Sequence, residues 1–249
     1  MTWTWVRATC RGTSHVASDA PCQDFSFCEA LGVDGEFLVA VASDGAGSAS
    51  HSQHGSALLC RTMALGARAH FCKSSDLPTE GIAWSWVDEA RDRIRYVAEK
   101  SQIEFRQFAA TLVCAIVGKS SAVVLHIGDG AAVVSTGGVW SVASWPENGE
   151  YASATYFVTD DPTPRLRFVQ VDAQVDAIAV FTDGIERLAL DFHHRRAHAP
   201  FFEAMLRPVQ QGDLGRNHDL SKSLADYLNG AAINSRTDDD KSLILASRK

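Results

Sequence analysis

Hydrophobic and polar positions follow two periods along this chain, and the changes of period divide it into elements. Three segments rich in aromatic and β-branched residues come first and are typical of strands: Thr2–Arg11, Asp24–Glu29 and Glu36–Ala42. From Ser50 to about Phe71 apolar residues recur at helical spacing, and Pro78-Thr79 begins a second such segment that reaches Val97. The pattern therefore predicts three strands followed by two consecutive helices.

The second half of the chain returns to strand character. The predicted strands are Thr111–Val117, Ala122–Ile127, Ala131–Ser135, Phe168–Val171, Ala177–Phe181 and Ser242–Ala246. Trp145–Pro164 is predicted to be a loop, and Ile185–Leu228 to be mostly helical. Runs of strands followed by runs of helices favour the α+β class. Since no Gly-, Pro- or Ser-rich linker interrupts the chain, we expect one domain over residues 1–249.

Composition narrows the possible partners. The chain has 249 residues, 46% of them hydrophobic, and a formal net charge of -7. Nucleic acids and anionic membrane surfaces attract clustered positive charge, so neither is an expected partner. The six cysteines form no Cys-x-x-Cys pair, and neither a signal peptide nor a membrane-spanning apolar stretch is apparent. These features predict a soluble cytoplasmic protein with free thiols.

Aspartates stand at the ends of several apolar runs. Three runs end in a small residue followed by Asp-Gly, at Asp44, Asp129 and Asp183, while Asp24 begins a run and Asp238-Asp239-Asp240 precedes the last one. Several carboxylates brought to one edge of a sheet repel each other unless a cation joins them. Asp-Gly is also a common hairpin turn, and Asp34-Gly35 is expected to be only that. As a set, the others predict a shared site for a hard cation.

Other chemical motifs fail on inspection. Gly45-x-Gly47-x-x-Ser50 lacks the third glycine of a dinucleotide site, and Gly118-Lys119-Ser120 lacks the first glycine of a phosphate-binding loop. The sequence contains no Gly-x-Ser-x-Gly nucleophile motif and no His-Glu-x-x-His motif. His51 and His54 have no third histidine or cysteine at a fitting distance for a transition metal. The run His193–His198 is expected to be a solvated loop.

Six motifs, in order, resemble those of the PP2C-type (PPM) metal-dependent protein serine/threonine phosphatases. They are Cys22-Gln23-Asp24, Ser43-Asp44-Gly45-Ala46-Gly47, Ala110-Thr111-Leu112, His126-Ile127-Gly128-Asp129-Gly130, Thr182-Asp183-Gly184-Ile185 and Asp239-Asp240-Lys241-Ser242. The resemblance spans nearly the whole chain. Two further stretches, Pro146–Tyr151 followed by Thr155-Tyr156-Phe157, and Arg236–Asp240, are similar to a bacterial branch of the family.

The resemblance implies a four-layer α-β-β-α sandwich, in which two packed antiparallel sheets are flanked by helix pairs. It also implies two or three Mn²⁺ or Mg²⁺ ions at one end of the sandwich. Carried over by position, Asp44 bridges two ions and the Gly45 carbonyl binds one of them. Asp183 and Asp239 hold the other ion, Asp24 lies nearby through water, and Asp129 with Asp183 forms a candidate third site. Such ions activate water for attack on phosphorus, so no protein nucleophile is required.

The chain departs from the family pattern in ways that affect phosphate binding. The Asp-Gly-His-Gly-Gly motif of the family is Asp44–Ser48 here, with Ala46 at the histidine position. The usual phosphate-binding arginine is replaced by Asp19. Arg11 and His15 lie on the same segment, so either is a candidate phosphate ligand, and His15 is also a candidate proton donor to the leaving group. Asp44, Asp183 and His15 are the expected catalytic residues.

The expected activity is hydrolysis of phosphoserine and phosphothreonine in proteins, with a cognate serine/threonine kinase acting on the same substrate. Two alternatives stay open at this level. One is a non-catalytic regulatory module with the same fold, in which the aspartates only cap strands. The other is a phosphatase of a small phosphorylated metabolite. Retention of all five carboxylates favours an active enzyme over the regulatory module.

Overall fold

The computed structural model describes residues 2–147 and 155–249, which form two β-sheets and the helices that cover them. The strands are β1 (Trp3–Cys10), β2 (Phe25–Leu31), β3 (Phe37–Ser43), β4 (Leu112–Val117), β5 (Ala122–Ile127), β6 (Ala131–Thr136), β7 (Val139–Ser144), β8 (Arg167–Val171), β9 (Ala177–Phe181), β10 (Leu190–Asp191), β11 (Arg196–Ala197), β12 (Gly215–Arg216) and β13 (Lys241–Arg248). The helices are α1 (Thr13–Ala17), α2 (Ser52–Phe71), α3 (Glu80–Ser101), α4 (Asp183–Ala189), α5 (Ala199–Gln211), α6 (His218–Leu228) and α7 (Ala231–Asn234).

The two large sheets are antiparallel apart from one short pair. One sheet has the strand order β12-β1-β13-β9-β6-β7, and the other has the order β2-β3-β4-β5-β8. The exception is β12, which pairs in parallel with β1. Strands β10 and β11 form a separate hairpin.

Three apolar layers hold the sandwich together, and β3 shows why its sequence is apolar at every position. Val39 and Val41 face α2 and α3, whereas Leu38, Ala40 and Ala42 face the other sheet. Side chains alternate along a strand, so a strand covered on both faces requires apolar residues throughout. Across the molecule, α4, α5 and α6 cover the outer face of the six-stranded sheet in the same way.

Helix α3 illustrates how the sequence sets the covering layer. The Thr79 hydroxyl accepts a hydrogen bond from the Ile82 amide at 3.4 Å and caps the helix at its predicted start. Buried residues of α3 recur every three or four positions, at Ala83, Val87, Ala90 and Ile94. The α2–α3 pair therefore buries one face on the five-stranded sheet and leaves the other in solvent.

The α+β class and the four-layer sandwich are confirmed, whereas two local predictions need correction and a third falls partly outside the described residues. Strand β7 was not predicted because it is a half-exposed edge strand, although the Gly137-Gly138 turn before it, with φ of 58° and 82°, is a hairpin signal. The predicted helical stretch Ile185–Leu228 is interrupted by the β10–β11 hairpin and by β12. Of the predicted loop Trp145–Pro164 and the Pro146–Tyr151 motif, residues 148–154 lie outside the described residues.

None of the helices in the described ranges is long and apolar enough to cross a membrane. All six cysteines belong to these ranges and are unpaired, as the sequence predicts.

Candidate active site

Strand register brings the predicted aspartates to one end of the sandwich. Phe25 pairs with Ser43 between β2 and β3, so Asp24 and Asp44 lie side by side just beyond that pair. In the other sheet, Ala131 and Leu243 both pair with Phe181, which places Asp129, Asp183 and Asp239 beyond neighbouring strand ends. The two sheets therefore contribute carboxylates to the same edge.

A threonine links the two groups of strand ends. The Thr182 hydroxyl donates to Asp24 Oδ2 at 2.7 Å and accepts from the Ser242 amide at 3.0 Å. Asp24 is only 6% exposed, so this contact lies inside the sandwich. Thr182 thereby fixes the position of Asp24, from the five-stranded sheet, against β9 and β13 of the six-stranded sheet.

The carboxylates perturb one another, which shows that they form one cluster. Burial raises the pKa of Asp24 to about 7. Burial, followed by the charges of Asp24 and Asp183, raises the pKa of Asp44 well above its ordinary value. The pKa of Asp183 is also well above its ordinary value, first through burial and then through the charges of Asp129 and Asp239. All five aspartates named by the sequence thus belong to a single acidic site.

Two carboxylate oxygens in this cluster lack the partners that buried oxygens require. Asp24 Oδ1 and Asp129 Oδ1 are buried and accept no hydrogen bond from any described residue, although the other oxygen of each accepts from a threonine hydroxyl at 2.7 Å, Thr182 and Thr155 respectively. A buried oxygen without a partner is costly, and a cation offsets that cost. The unpartnered oxygens and the all-oxygen donor set fit a hard divalent ion.

The aspartates do not form a closed cage. Within residues 2–147 and 155–249, no group of three or more His, Cys, Asp or Glu side chains is arranged so that it could hold a metal ion. Mg²⁺ usually keeps several waters and binds only one or two carboxylates. The cluster is therefore suited to partly hydrated ions.

The Asp44-Gly45 segment is held against a neighbouring strand end. Thr111 forms two hydrogen bonds with the backbone of Asp44. The Thr111 amide donates to Asp44 O at 2.8 Å, and the Thr111 hydroxyl accepts from the Asp44 amide at 3.1 Å. A Cβ on Gly45 would lie 2.8 Å from Gln23 O, so only glycine allows the chain to pass this closely. Asp44 is consequently positioned by backbone contacts, independently of any ion.

His15 and Asp240 form a second feature of the site. His15 Nδ1 lies 2.9 Å from Asp240 Oδ2, a close ion contact without the angle of an aligned hydrogen bond. Asp240 is buried and also accepts the backbone amides of Gly12 at 2.6 Å and Gln23 at 2.5 Å. The His15 side chain keeps 17% of its surface exposed. Asp240 therefore joins α1, the segment before Asp24 and the start of β13.

Arg11, the other candidate phosphate ligand, is bound locally. Its Nη2 donates to His15 O at 3.0 Å and lies 3.4 Å from the exposed carboxylate of Asp19. Among the described residues, its side-chain hydrogen bonds reach none of the five clustered aspartates. The structure thus brings His15, but not Arg11, into contact with the segment that carries Asp239.

Sequence reasoning missed two carboxylates, Asp240 as a buried acceptor and Glu186 as a neighbour of the cluster. Glu186 Oε1 accepts from the Gly130 amide at 2.7 Å, and burial raises the pKa of Glu186 to about 7. Glu186 lies one helical turn after Asp183 on α4, a spacing that was available as a signal. It fixes the turn that carries Asp129.

Within the described residues, the features set aside in the sequence form no hydrogen bond or ion pair with the side chains of the five clustered aspartates. Gly118-Lys119-Ser120 lies in the turn between β4 and β5. The His51 and His54 rings are 6.0 Å apart at the start of α2. The His193–His198 run lies largely exposed on the β10–β11 hairpin, where Asp191 binds His194 and Arg196.

Comparisons with known proteins identify the family of this chain. The family model "Protein phosphatase 2C" matches residues 11–229. Serine/threonine-protein phosphatase 3 of Escherichia coli (strain K12) is 33% identical over 250 residues, covering 99% of this chain and 98% of that protein.

Two solved structures share the fold. The crystal structure of a bacterial serine phosphatase has a TM-score of 0.68 at 15% identity and covers 98% of this chain and 97% of its own. The catalytic domain of the serine/threonine protein phosphatase PstP, solved with two manganese ions, has a TM-score of 0.63 at 15% identity, with 99% and 98% coverage. The chain belongs to the protein phosphatase 2C family of serine/threonine protein phosphatases, as its ordered motifs predict.

Proposed function

We propose that this protein hydrolyses phosphoserine and phosphothreonine in proteins, using water activated at a centre of two or three Mn²⁺ or Mg²⁺ ions. The observation that carries the proposal is the partly buried cluster of five aspartates, in which Asp24 Oδ1 and Asp129 Oδ1 accept no hydrogen bond from residues 2–147 and 155–249. The fold relative solved with two manganese ions supports the choice of cation class.

Each aspartate has a distinct proposed role. Asp44 would hold two ions, and the Gly45 carbonyl would be a ligand of one of them. Asp183 and Asp239 would hold the other ion, Asp24 would act through water, and Asp129 with Asp183 would hold a third ion. The pKa of Asp44 is raised first by burial and then by the charges of Asp24 and Asp183, and the pKa of Asp183 is raised first by burial and then by the charges of Asp129 and Asp239, which supports one shared ion site.

Divalent cations bound there lower the pKa of water and offset charge on the phosphoryl oxygens. The protein's own contribution is orientation. Thr182 and Thr155 each hold one carboxylate oxygen and leave the other directed at the cluster, while burial keeps competing water from Asp24. None of the nucleophile motifs sought in the sequence is present, which agrees with direct attack by water.

His15 is the proposed ligand of the substrate phosphate and the proposed proton donor to the leaving oxygen. Its Nδ1 faces Asp240, so Nε2 is the ring nitrogen left for substrate. A carboxylate this close to one imidazole nitrogen restricts the orientation of the ring. Arg11 is retained as a second phosphate ligand, although its present contacts to His15 O and Asp19 must first break.

The proposal extends to a phosphoprotein substrate in the cytoplasm and to a cognate kinase that phosphorylates it. The test uses purified protein with a phosphothreonine peptide and with p-nitrophenyl phosphate. Both should be hydrolysed in Mn²⁺ or Mg²⁺, and EDTA should abolish turnover. Full activity after exhaustive metal removal would contradict the metal-dependent mechanism.

A further inference from the structure

A cavity of about 580 Å³ opens beside the loop that follows Asp44. Three small buried residues, Ala46, Ala49 and Ala109, form an apolar cluster there, and Phe157 packs against them. This cluster is separate from the three apolar layers that hold the sandwich together. A cavity of this volume is within the range of ordinary ligand sites, which is roughly 300–1,000 Å³.

The wall of the cavity continues the segment that carries Asp44. The Ala46 amide donates to Ala109 O at 3.0 Å, and the Thr111 amide donates to Asp44 O at 2.8 Å, with a bridge between Gly45 and Ala110. Residues 44–46 are therefore extended and paired like a strand. Two residues of extended chain span about 7 Å, so the cavity begins about that far from Asp44.

The acidic groups around the cavity are already engaged. Asp160 Oδ2 accepts from the Phe157 amide at 2.9 Å. Asp161 Oδ1 lies 2.9 Å from Arg91 Nη2 and 2.8 Å from Arg95 Nη2. These partners hold both carboxylates, so neither presents a strong requirement for a cationic ligand.

The basic group at the rim is weakly held. Arg106 contacts Glu104 at 2.9 Å, with side chains 78% and 69% exposed, and exposed pairs of this kind contribute little. Of the ten lining residues, Ala46, Ala49, Ala109 and Phe157 are apolar and pack against one another, so they give this otherwise polar cavity an apolar patch. It suits an aliphatic side chain.

We propose that this cavity binds the substrate polypeptide and takes an apolar side chain two positions from the phosphorylated residue. This inference rests on the proposed function. In an extended peptide the side chain two positions away points to the same side and lies about 7 Å along the chain, which matches the offset between Asp44 and the cavity. The adjacent position points to the opposite side. A small phosphorylated metabolite would leave the cavity unused.

Alanine-based phosphothreonine peptides test the inference. One peptide has no leucine, and the others carry a single leucine one or two positions before or after the phosphothreonine. Leucine at a two-residue offset, on one side of the phosphothreonine, should raise kcat/KM about tenfold or more over the peptide without leucine, the selectivity that an apolar pocket supplies for one side chain. Leucine at the adjacent positions should have a much smaller effect.

Two substitutions at the cavity provide independent checks. Ser48→Trp fills the cavity from an exposed position, and Phe157→Ala removes its aromatic wall. Either should reduce the preference for leucine to near unity, measured as a ratio of kcat/KM values for the two peptides within one variant. Ala69→Trp, at an exposed position near the far end of α2, should keep the wild-type preference. Thermal unfolding establishes that each variant is folded.

The outcomes separate this inference from the proposed function. Wild-type protein that hydrolyses p-nitrophenyl phosphate but shows no leucine preference overturns the cavity assignment alone. The same holds if Ser48→Trp and Phe157→Ala, both folded, retain the preference. Absence of metal-dependent turnover on p-nitrophenyl phosphate overturns the proposed function and this inference with it.

Discussion

The two ends of the β2–β3 hairpin carry the same dipeptide in opposite settings. At one end Asp34 is exposed and Gly35, with φ of 65°, completes a turn next to the almost fully exposed Val33. At the other end Asp44 lies beside the buried Asp24 and other clustered aspartates, and Gly45 has no room for a side chain. Both Asp-Gly pairs have the same local turn propensity. The difference in their roles therefore comes from the residues that the fold places around each pair.

Neutralising Asp44 and Asp34 separately tests the difference between the two ends of the hairpin. Asp44→Asn should lower turnover of a phosphothreonine peptide by more than about 100-fold, because loss of even an outer-shell group at a metal site costs 10–100-fold. Asp34→Asn, the matched control on the same hairpin, should keep wild-type kcat/KM. Steady-state kinetics in saturating Mn²⁺ provides the measurement, and equal effects of the two substitutions would contradict the distinction.

The next largest effect is expected at His15. His15→Ala should lower kcat/KM on the phosphothreonine peptide by about tenfold or more, because an alkoxide leaving group requires a proton. The loss should be smaller on p-nitrophenyl phosphate, whose leaving group departs as a stable anion. Asp240→Asn should show the same dependence on leaving group in a weaker form, since it disturbs only the orientation of the ring.

Arg11→Ala compares the role of Arg11 in phosphate binding with that of His15. Its contacts lie on its own segment, so a smaller loss, similar for both substrates, is expected. If folded His15→Ala and Arg11→Ala both keep wild-type kcat/KM on the peptide, neither residue binds the phosphate. An equal loss on both substrates for His15→Ala would restrict His15 to binding and exclude proton transfer.

Substitution of Asp129 tests whether the cluster binds some ions tightly and another ion weakly. If it serves only a third ion, Asp129→Ala should reduce turnover several-fold while two tightly bound ions remain. Calorimetric titration with Mn²⁺, run beside the kinetics, measures both quantities. Loss of all tight binding, or no change in turnover, would reject this role.

Much of this architecture was predictable from the chain. The apolar runs of β3, β4 and β9 identify strands buried on both faces, and Thr79 marks the start of α3. The sequence did not predict the edge strand β7, because the alternation of apolar and polar residues along it is weak and one of its faces is exposed to solvent. Edge strands are defined by long-range pairing more than by local pattern.

The residues of the candidate site were likewise only partly predictable from the sequence. Asp24, Asp44, Asp129, Asp183 and Asp239 follow from their positions at strand ends, and the family match covers the first four of them. Asp240 could not be assigned, because its three partners, Gly12, His15 and Gln23, lie more than 200 residues away in the sequence. Only the fold brings these segments together.

The smallest expected effect is on stability. Burial raises the pKa of Asp24 from an ordinary 3.8 to about 7 in the folded, metal-free protein. Between these values the folded state binds more protons than the unfolded state, so stability is lost as pH rises through 7. The metal-free protein should therefore have a lower Tm at pH 8 than at pH 5, and Mn²⁺ at pH 8 should raise the Tm. A metal-free Tm that rises between pH 5 and pH 8 would contradict this sign.

Metal stoichiometry tests the central claim most directly, namely that the Asp24 and Asp44 end of the hairpin is a metal centre and the Asp34 end is only a turn. Calorimetric titration of Mn²⁺ into wild-type, Asp34→Asn and Asp44→Asn proteins should give at least two tight sites in the first two and a loss of tight binding in the third. No tight Mn²⁺ binding by the wild type, or the same stoichiometry and affinity in Asp44→Asn, would contradict the account.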